Sequence, residues 1–425
     1  MEGSEIVDYE NINMGAYNLH LISTKKFKTI TVEVNFRRLV KKDEITKRAL
    51  LKEILLNSTK RYPNERELII ASENLYDLKL IASSSRMGNY TNISFKTRFL
   101  NEMYTENGMN EKSIDFLMDI LFNPNIDNNS FDKEIVEKCK KKLSKSIKSL
   151  KDNKIKYALS KLLESVPDRP YSYNSYGYIE DLDSISEKNM FDYYKSLLND
   201  DFVDVFVIGD IDKIKIKEII KNKVCINTFH KLKKDIVVRE IEPVKKVNSI
   251  VETDNVNQSQ LTMLCSMNNL TDYERKYVSR IYNEILGGSS SSLLFDTVRE
   301  RNSYAYYINS DQKSYDNILL IYSGIEPGNS EEVIKLINGV LNDMEKGKVT
   351  DDQVNNAKNT MIGAIKASLD SPNGIINNYF AKVLVNSDDI DTKIENINKV
   401  KKEEVIVFAN KVKLHTIYLL EGESA

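Results

Sequence analysis

Between residues 29 and 36 apolar and polar side chains alternate (TITVEVNF), the pattern of a half-buried strand. Residues 46–59 (TKRALLKEILLNST) instead show apolar residues at helical spacing, with Thr46 placed to serve as an N-cap. Strands are predicted within 79–99, ending in YTNISFKTRF, and long helices over 111–122, 130–150 and 153–166. The second half runs through a similar series: strand 259–266, helix 272–286, strands 304–310 and 316–325, then helices 329–346 and 350–369. Strands grouped beside helices predict an α+β fold, each sheet mostly antiparallel and covered mainly on one face.

The two halves also share a repeated signature. Residues 179–198 and 203–212 read as an acidic lead-in, an amphipathic helix, an apolar strand and a glycine turn. Residues 394–412 and 415–424 read the same way. Ile179, Ile185, Met190 and Tyr193 match Ile394, Val400, Val405 and Phe408 at an offset of 215, and Phe206 and Gly209 match Leu419 and Gly422 at 213. A repeat this long is a domain duplication and not a solenoid. The polar stretch 226–246, with Pro243, is read as a linker between an N-terminal domain, 1–225, and a C-terminal domain, 247–425.

Composition narrows the class. The chain has 425 residues, enough for two domains, and 61 basic against 63 acidic residues, for a net charge of −2. That balance supplies no field favouring nucleic acid or an anionic membrane. The start, MEGSEIVDYENIN, shows no basic region followed by an apolar run, and no stretch approaches the roughly 18 apolar residues of a membrane span. The cysteines, Cys139, Cys225 and Cys265, are scattered and form no CxxC pair, which predicts reduced core thiols in a cytoplasmic protein.

Candidate chemistry concentrates in 286–308, LGGSSSSLLFDTVRERNSYAYYI. A Gly/Ser turn opens a short apolar helix ending at Arg299, and a tyrosine-rich strand follows with Tyr306. Arg offers a fixed fork of donors and a phenol one more, an arrangement that can aim a guanidinium and a phenol at one point. Simple alternation puts Tyr306 on the face of Tyr304 and Ile308, opposite Ala305 and Tyr307. The plainer reading is a surface arginine in an ion pair beside an ordinary aromatic strand.

This segment resembles the substrate-clamping part of the C-terminal domain of pitrilysin/insulinase-type metallopeptidases, in which an Arg–Tyr pair is likewise seven residues apart. The resemblance spans about 15–423. The stretches 26–63 and 176–185 are similar to the zinc-less subunit of short, processing-peptidase-like members found as pairs in Firmicutes. It implies two homologous domains facing each other as a clam shell. It also implies that Arg299 and Tyr306 bind the scissile carbonyl, with Gly287, Gly288 and Tyr304 against substrate. The family's metal motif, H-x-x-E-H on a helix, binds zinc through two imidazoles on one face while the Glu serves as base. Here Ala49 and Glu53 fall at the histidine positions and Lys52 at the glutamate position. Alanine cannot ligate, and an ammonium repels a divalent cation. Glu134 or Glu137 matches the third ligand, but one carboxylate cannot hold catalytic zinc. The histidines, His20, His230 and His415, are isolated and read as structural or exposed. No zinc site is expected in this chain.

Other motifs read as structural. The Ser run 289–292 lacks a GK[ST] continuation and is taken as a helix-ending turn into a mobile loop, not a phosphate cradle. Lys138, Lys140, Lys141, Lys142, Lys145, Lys148 and Lys151 form one solvated helix face, with docking of an acidic partner the minor alternative. Tyr171, Tyr173, Tyr176 and Tyr178 form a loop cluster, and Gly209-Asp210 closes a strand.

The expected function is that of the zinc-free subunit of a heterodimeric metallopeptidase. A homologous sibling would carry the zinc, and Arg299 and Tyr306 would act in trans on a peptide. The alternatives are a peptide-binding or purely structural protein with no part in hydrolysis, or an enzyme with unusual metal ligands.

Overall fold

The computed structural model describes residues 7–226 and 235–422. The expected linker 226–246 therefore falls partly outside the described residues, as does His230. The chain forms two compact units, residues 7–148 with 174–226, and residues 149–173 with 235–422.

The first unit contains β1 (Asp8–Asn13), β2 (Asn18–Ser23), β3 (Thr29–Leu39), β4 (Lys79–Met87), β5 (Tyr90–Leu100), a small hairpin of β6 (Ile126–Asp127) and β7 (Ser130–Phe131), and β8 (Phe202–Gly209). Its sheet has the order β1-β2-β8-β3-β5-β4. All neighbours are antiparallel except β2 and β8. The even-numbered residues of β3, Ile30 to Phe36, join the apolar core with the helices Ile45–Leu55, Met109–Phe122, Lys133–Lys148 and Glu187–Asp200.

β3 departs from the half-buried expectation. Its odd residues Thr31, Glu33, Asn35 and Arg37 are also buried. Glu33, Asn35 and Arg37 persist there because each finds a partner, whereas the buried Thr31 hydroxyl has no hydrogen-bond partner among the described residues. Asn35 donates to Glu33 at 3.2 Å, Asn92 donates to Asn35 at 2.8 Å, Lys96 pairs with Glu33 at 2.8 Å, and Arg37 pairs with Asp204. Thr46 also differs from its expected role. It lies inside the first helix, whose N-cap is Glu44. Its hydroxyl bonds to Asp181 and accepts the Tyr178 amide at 3.0 Å.

The second unit contains β9 (Asn248–Asp254), β10 (Ser259–Met267), β11 (Ala305–Lys313), β12 (Ile318–Ile325) and β13 (Val412–Gly422), in the order β11-β12-β10-β13-β9. Again one pair, β9 with β13, is parallel and the rest are antiparallel. Read from its parallel end, this sheet repeats β2-β8-β3-β5-β4 strand for strand, and the first unit adds β1. The duplication visible at 203–212 and 415–424 thus corresponds to β8 and β13, which hold equivalent places.

The second sheet is covered on both faces, contrary to the one-sided expectation. One core gathers Leu261, Met263, Leu319, Ile321 and Ile325 with the helices Ser330–Glu345, Asp351–Ser368 and Lys402–Ala409. On the other face Leu264, Ile318, Leu320, Tyr418 and Leu420 pack against Ala158, Leu162 and Val166. The helix Lys154–Glu164, read with the first half of the sequence, thus belongs to the second unit's core. Tyr157 and Tyr418 anchor it by donating to the two carboxylate oxygens of Glu252, at 2.9 and 2.6 Å. The sequence pattern also passed over a helix at Pro372–Val385.

Candidate functional site

The segment around Arg299 and Tyr306 is built from a broken helix and an edge strand. Residues 272–288 are helical, with widened π-type turns at Glu274–Val278 and Glu284–Gly288. Gly287 ends this helix with φ −160° and ψ 15°. A Cβ there would sit 2.6 Å from Ser310 Oγ and 2.8 Å from its amide nitrogen, so glycine lets the helix end press directly onto β11. Gly288 is less demanding, since its Cβ would meet the movable Glu284 carboxylate at 2.7 Å. The serine run forms a tight turn in which Ser292 is buried.

The next helical turn, Phe295–Glu300, buries Val298 and leaves Arg299 outside. The Arg299 side chain is 44% exposed, and its guanidinium lies over the Phe295 ring at 4.7 Å. Stacking limits the rotamers of the long side chain without consuming its donors. Its Nε is 3.9 Å from Glu300, and Arg301 pairs separately with Asp296 at 2.6 Å. The turn closes with the Ser303 amide on the Arg299 carbonyl at 3.0 Å and the Tyr304 amide on the Val298 carbonyl at 3.1 Å. Ser303 takes φ 55°, the left-handed residue that such a helix end requires.

β11 begins with an irregularity that alternation could not reveal. Ala305 pairs with Ile325 and Tyr307 with Gly324, so Tyr306 is the extra residue of a β-bulge. The bulge resets the pleat. Ala305 and Ile308 both join the core, correcting the expectation that they face opposite ways. Tyr306 is 55% exposed, and its hydroxyl donates to Glu326 Oε1 at 3.2 Å. The charge of Glu326, with that bond, raises the phenol's pKa. The Tyr307 hydroxyl bonds to Gln260, and burial pushes its pKa up to about 12. Tyr304 is half-buried against the core. Glu326 and Gln260 carried no signal in the sequence, because only strand register brings Glu326 to Tyr306 and Gln260 to Tyr307.

The residues at the zinc-motif positions lie in the first unit and do not suit a metal. Ala49 is buried in the core. Glu53 is engaged with Lys142 at 2.8 Å. On the facing helix, Glu134 is exposed and Glu137 pairs with Lys140 at 2.8 Å. Lys138 binds Glu65 at 2.5 Å and Asn57 at 3.1 Å. Among the described residues no group of three or more His, Cys, Asp or Glu side chains is placed to hold a metal ion.

The isolated ionisable residues have local roles. His20 is buried, stacked on Phe206 at 4.2 Å, with Nε2 2.8 Å from Asp204 and Nδ1 2.9 Å from the Tyr9 hydroxyl. His415 contacts Thr416. All three cysteines are free. Cys139 and Cys265 are buried, but Cys225 is exposed and not a core thiol, because it follows the end of the helix Lys213–Lys223.

The family described as the peptidase M16 inactive domain matches residues 184–361, a stretch that includes Arg299 and Tyr306. The chain is 26% identical over 415 residues to the probable inactive metalloprotease YmfF of Bacillus subtilis, covering 96% of each chain. It is 31% identical over 137 residues to the uncharacterized zinc protease YmxG of the same organism, covering 31% of this chain and 34% of that one. In fold it is similar to a conserved protein from Enterococcus faecalis, with a TM-score of 0.89 at 24% identity over 98% of this chain and 99% of that one. It is also similar to a peptidase M16 inactive domain from Pseudomonas fluorescens, with a TM-score of 0.79 at 14% identity over 99% of both chains. Among the described residues no helix is long and apolar enough to cross a membrane.

Proposed function

We propose that the protein, a member of the M16 peptidase family, is the zinc-free subunit of a heterodimeric peptidase, acting on peptides in trans. The observation that carries this reading is an asymmetry between the units. The first holds Ala49, Lys52 and a Glu53–Lys142 ion pair where the family's metal motif falls. The second keeps Arg299 and Tyr306 exposed at one helix–strand junction.

In this proposal zinc and the hydrolytic water belong to a homologous sibling subunit. Arg299 supplies a charged fork of donors to the substrate carbonyl, held in direction by Phe295. Tyr306 adds its hydroxyl, which the bulge turns outward and Glu326 orients until substrate arrives. Donors fixed before the reaction stabilise a developing oxyanion with little reorganisation. The protein is inactive alone and cytoplasmic in this reading.

The test is peptide hydrolysis by this chain, by a zinc-bearing sibling and by the two mixed. Activity confined to the mixture, and about 100- to 1,000-fold lower with Arg299→Ala at unchanged assembly, supports the proposal. No gain on mixing, or a gain indifferent to Arg299→Ala, leaves the protein a binding or structural one.

A further inference from the structure

We propose that the cleft behind the Tyr306 bulge is a main-chain subsite, where side-chain carboxamides bind the amide groups of an extended peptide beside Tyr306. The inference deepens the functional reading above and rests on it. The cleft has a volume of about 580 Å³, within the usual span of ligand sites, and lies wholly in the second unit. Asn153, Asn255, Asn257, Gln258, Gln260 and Tyr307 line it.

Five carboxamides around one cleft point to a specific chemistry. Each carries a carbonyl acceptor and an NH2 donor, the same pair that a peptide bond carries. The Asn153 side-chain carbonyl already accepts the Lys156 amide at 3.1 Å and Gln260 is engaged in the floor, so the pairs offered to a ligand are those of Asn255 and Asn257 at the rim. Carboxamides recognise backbone without selecting a charged side chain, and the wall also carries one exposed carboxylate, Asp152. The one ammonium on the wall, Lys154, is already paired with Asp254 at 3.0 Å. This argues against an anionic ligand such as a phosphate.

The floor is built and fixed. Gln260 is buried, its carbonyl oxygen takes the Tyr307 hydroxyl, and its NH2 donates to the Gln258 backbone carbonyl at 3.3 Å. Gly324 belongs to the same arrangement. A Cβ there would stand 2.5 Å from the Tyr307 ring and 2.6 Å from the Gln258 amide nitrogen, so only glycine leaves room for both. Asn255 and Asn257 stand exposed at the rim.

The bulge joins this cleft to the candidate site. Tyr306 and Tyr307 are consecutive, with Cα atoms about 3.8 Å apart, yet one faces solvent and the other the cleft. The cleft and Tyr306 therefore adjoin along β11.

The test uses the full chain, a fluorescein-labelled unstructured dodecapeptide, and the same peptide N-methylated at alternate backbone nitrogens. Fluorescence anisotropy gives the affinity. Asn255→Ala with Asn257→Ala, both at exposed positions, is expected to weaken binding roughly tenfold, the loss of two hydrogen bonds. The N-methylated peptide is expected to bind the unaltered chain at least as poorly. Unchanged affinity for the double variant, equal binding of the N-methylated peptide, or no binding by the unaltered chain overturns the subsite. Hydrolysis by the mixed subunits separates the two ideas. If Arg299→Ala abolishes the rate while the cleft variant binds normally, the subsite fails and the hydrolytic role stands. If the cleft variant binds weakly while Arg299→Ala leaves the rate unchanged, the subsite stands and the hydrolytic role fails.

Discussion

The Tyr306 hydroxyl donates to the Oε1 of Glu326 at 3.2 Å, from the extra residue of a bulge in β11 to the residue that follows β12. Glu326 both directs the phenol and raises its pKa. Glu326→Gln removes the charge and keeps an acceptor. The Tyr306 titration should move down toward the ordinary tyrosine value, read by NMR of ring-labelled tyrosine with Tyr306→Phe as the assignment control. An unmoved titration would show that the carboxylate does not set this phenol.

In the proposed two-subunit peptidase, Tyr306→Phe should lower the rate with little change in KM. It removes one neutral donor, so the loss should be about 100-fold, the low end of the range expected for Arg299→Ala. Equal rates for Phe and Tyr would remove the hydroxyl from the mechanism.

Asp201 is fully buried between Arg38, which it bonds through Nε, and Arg48, at 2.7 Å. Asp201→Ala leaves two guanidinium groups short of their carboxylate inside the first unit. Unfolding free energy should fall by about 3–5 kcal/mol, measured as a lower urea midpoint. A loss under about 1 kcal/mol would mean that water or the remaining partners, Glu44 and the Phe36 carbonyl, suffice.

His20 gives the first unit a dependence on pH. Burial, with the Arg37 guanidinium adding to it, pushes its pKa down from 6.5 to about 3. The unfolded chain therefore binds a proton between these values that the folded chain does not. Stability from this group is complete above pH 6.5 and is lost as pH falls toward 3. Denaturant midpoints taken from pH 7 to pH 4 should fall, and His20→Gln should flatten that slope. A slope identical in the variant would assign it to carboxylates instead.

Zinc retention checks the altered motif. After incubation with zinc and desalting, the chain should hold well under one zinc per molecule by atomic emission. Ala49→His should not restore it. That position is buried in the core, so the larger ring should cost about 1–3 kcal/mol of stability. Stoichiometric zinc in the unaltered chain would contradict the proposed division of labour.

Local patterns carried much of this information. The alternation in 29–36 placed Ile30, Val32, Val34 and Phe36 on one face, and they do form the core. It could not show that Glu33, Asn35 and Arg37 are buried as well, because alternation reports side-chain chemistry and not what lies against it. Thr46 looked like a helix cap because nothing local distinguishes a capping hydroxyl from one bonded to Asp181, 135 positions away.

By itself the sequence determined the α+β order of elements, the duplication at an offset near 215, and the lack of ligating side chains at Ala49 and Lys52. It also marked the segment from Gly287 to Tyr306. Each is a property of residue type and spacing along the chain. Only the tertiary structure decided that Lys154–Glu164 joins the second unit's core, that a bulge sits at Tyr306, and that Gln260 meets Tyr307. Those outcomes depend on strand register and on contacts between distant segments, where a shift of one residue reverses every face.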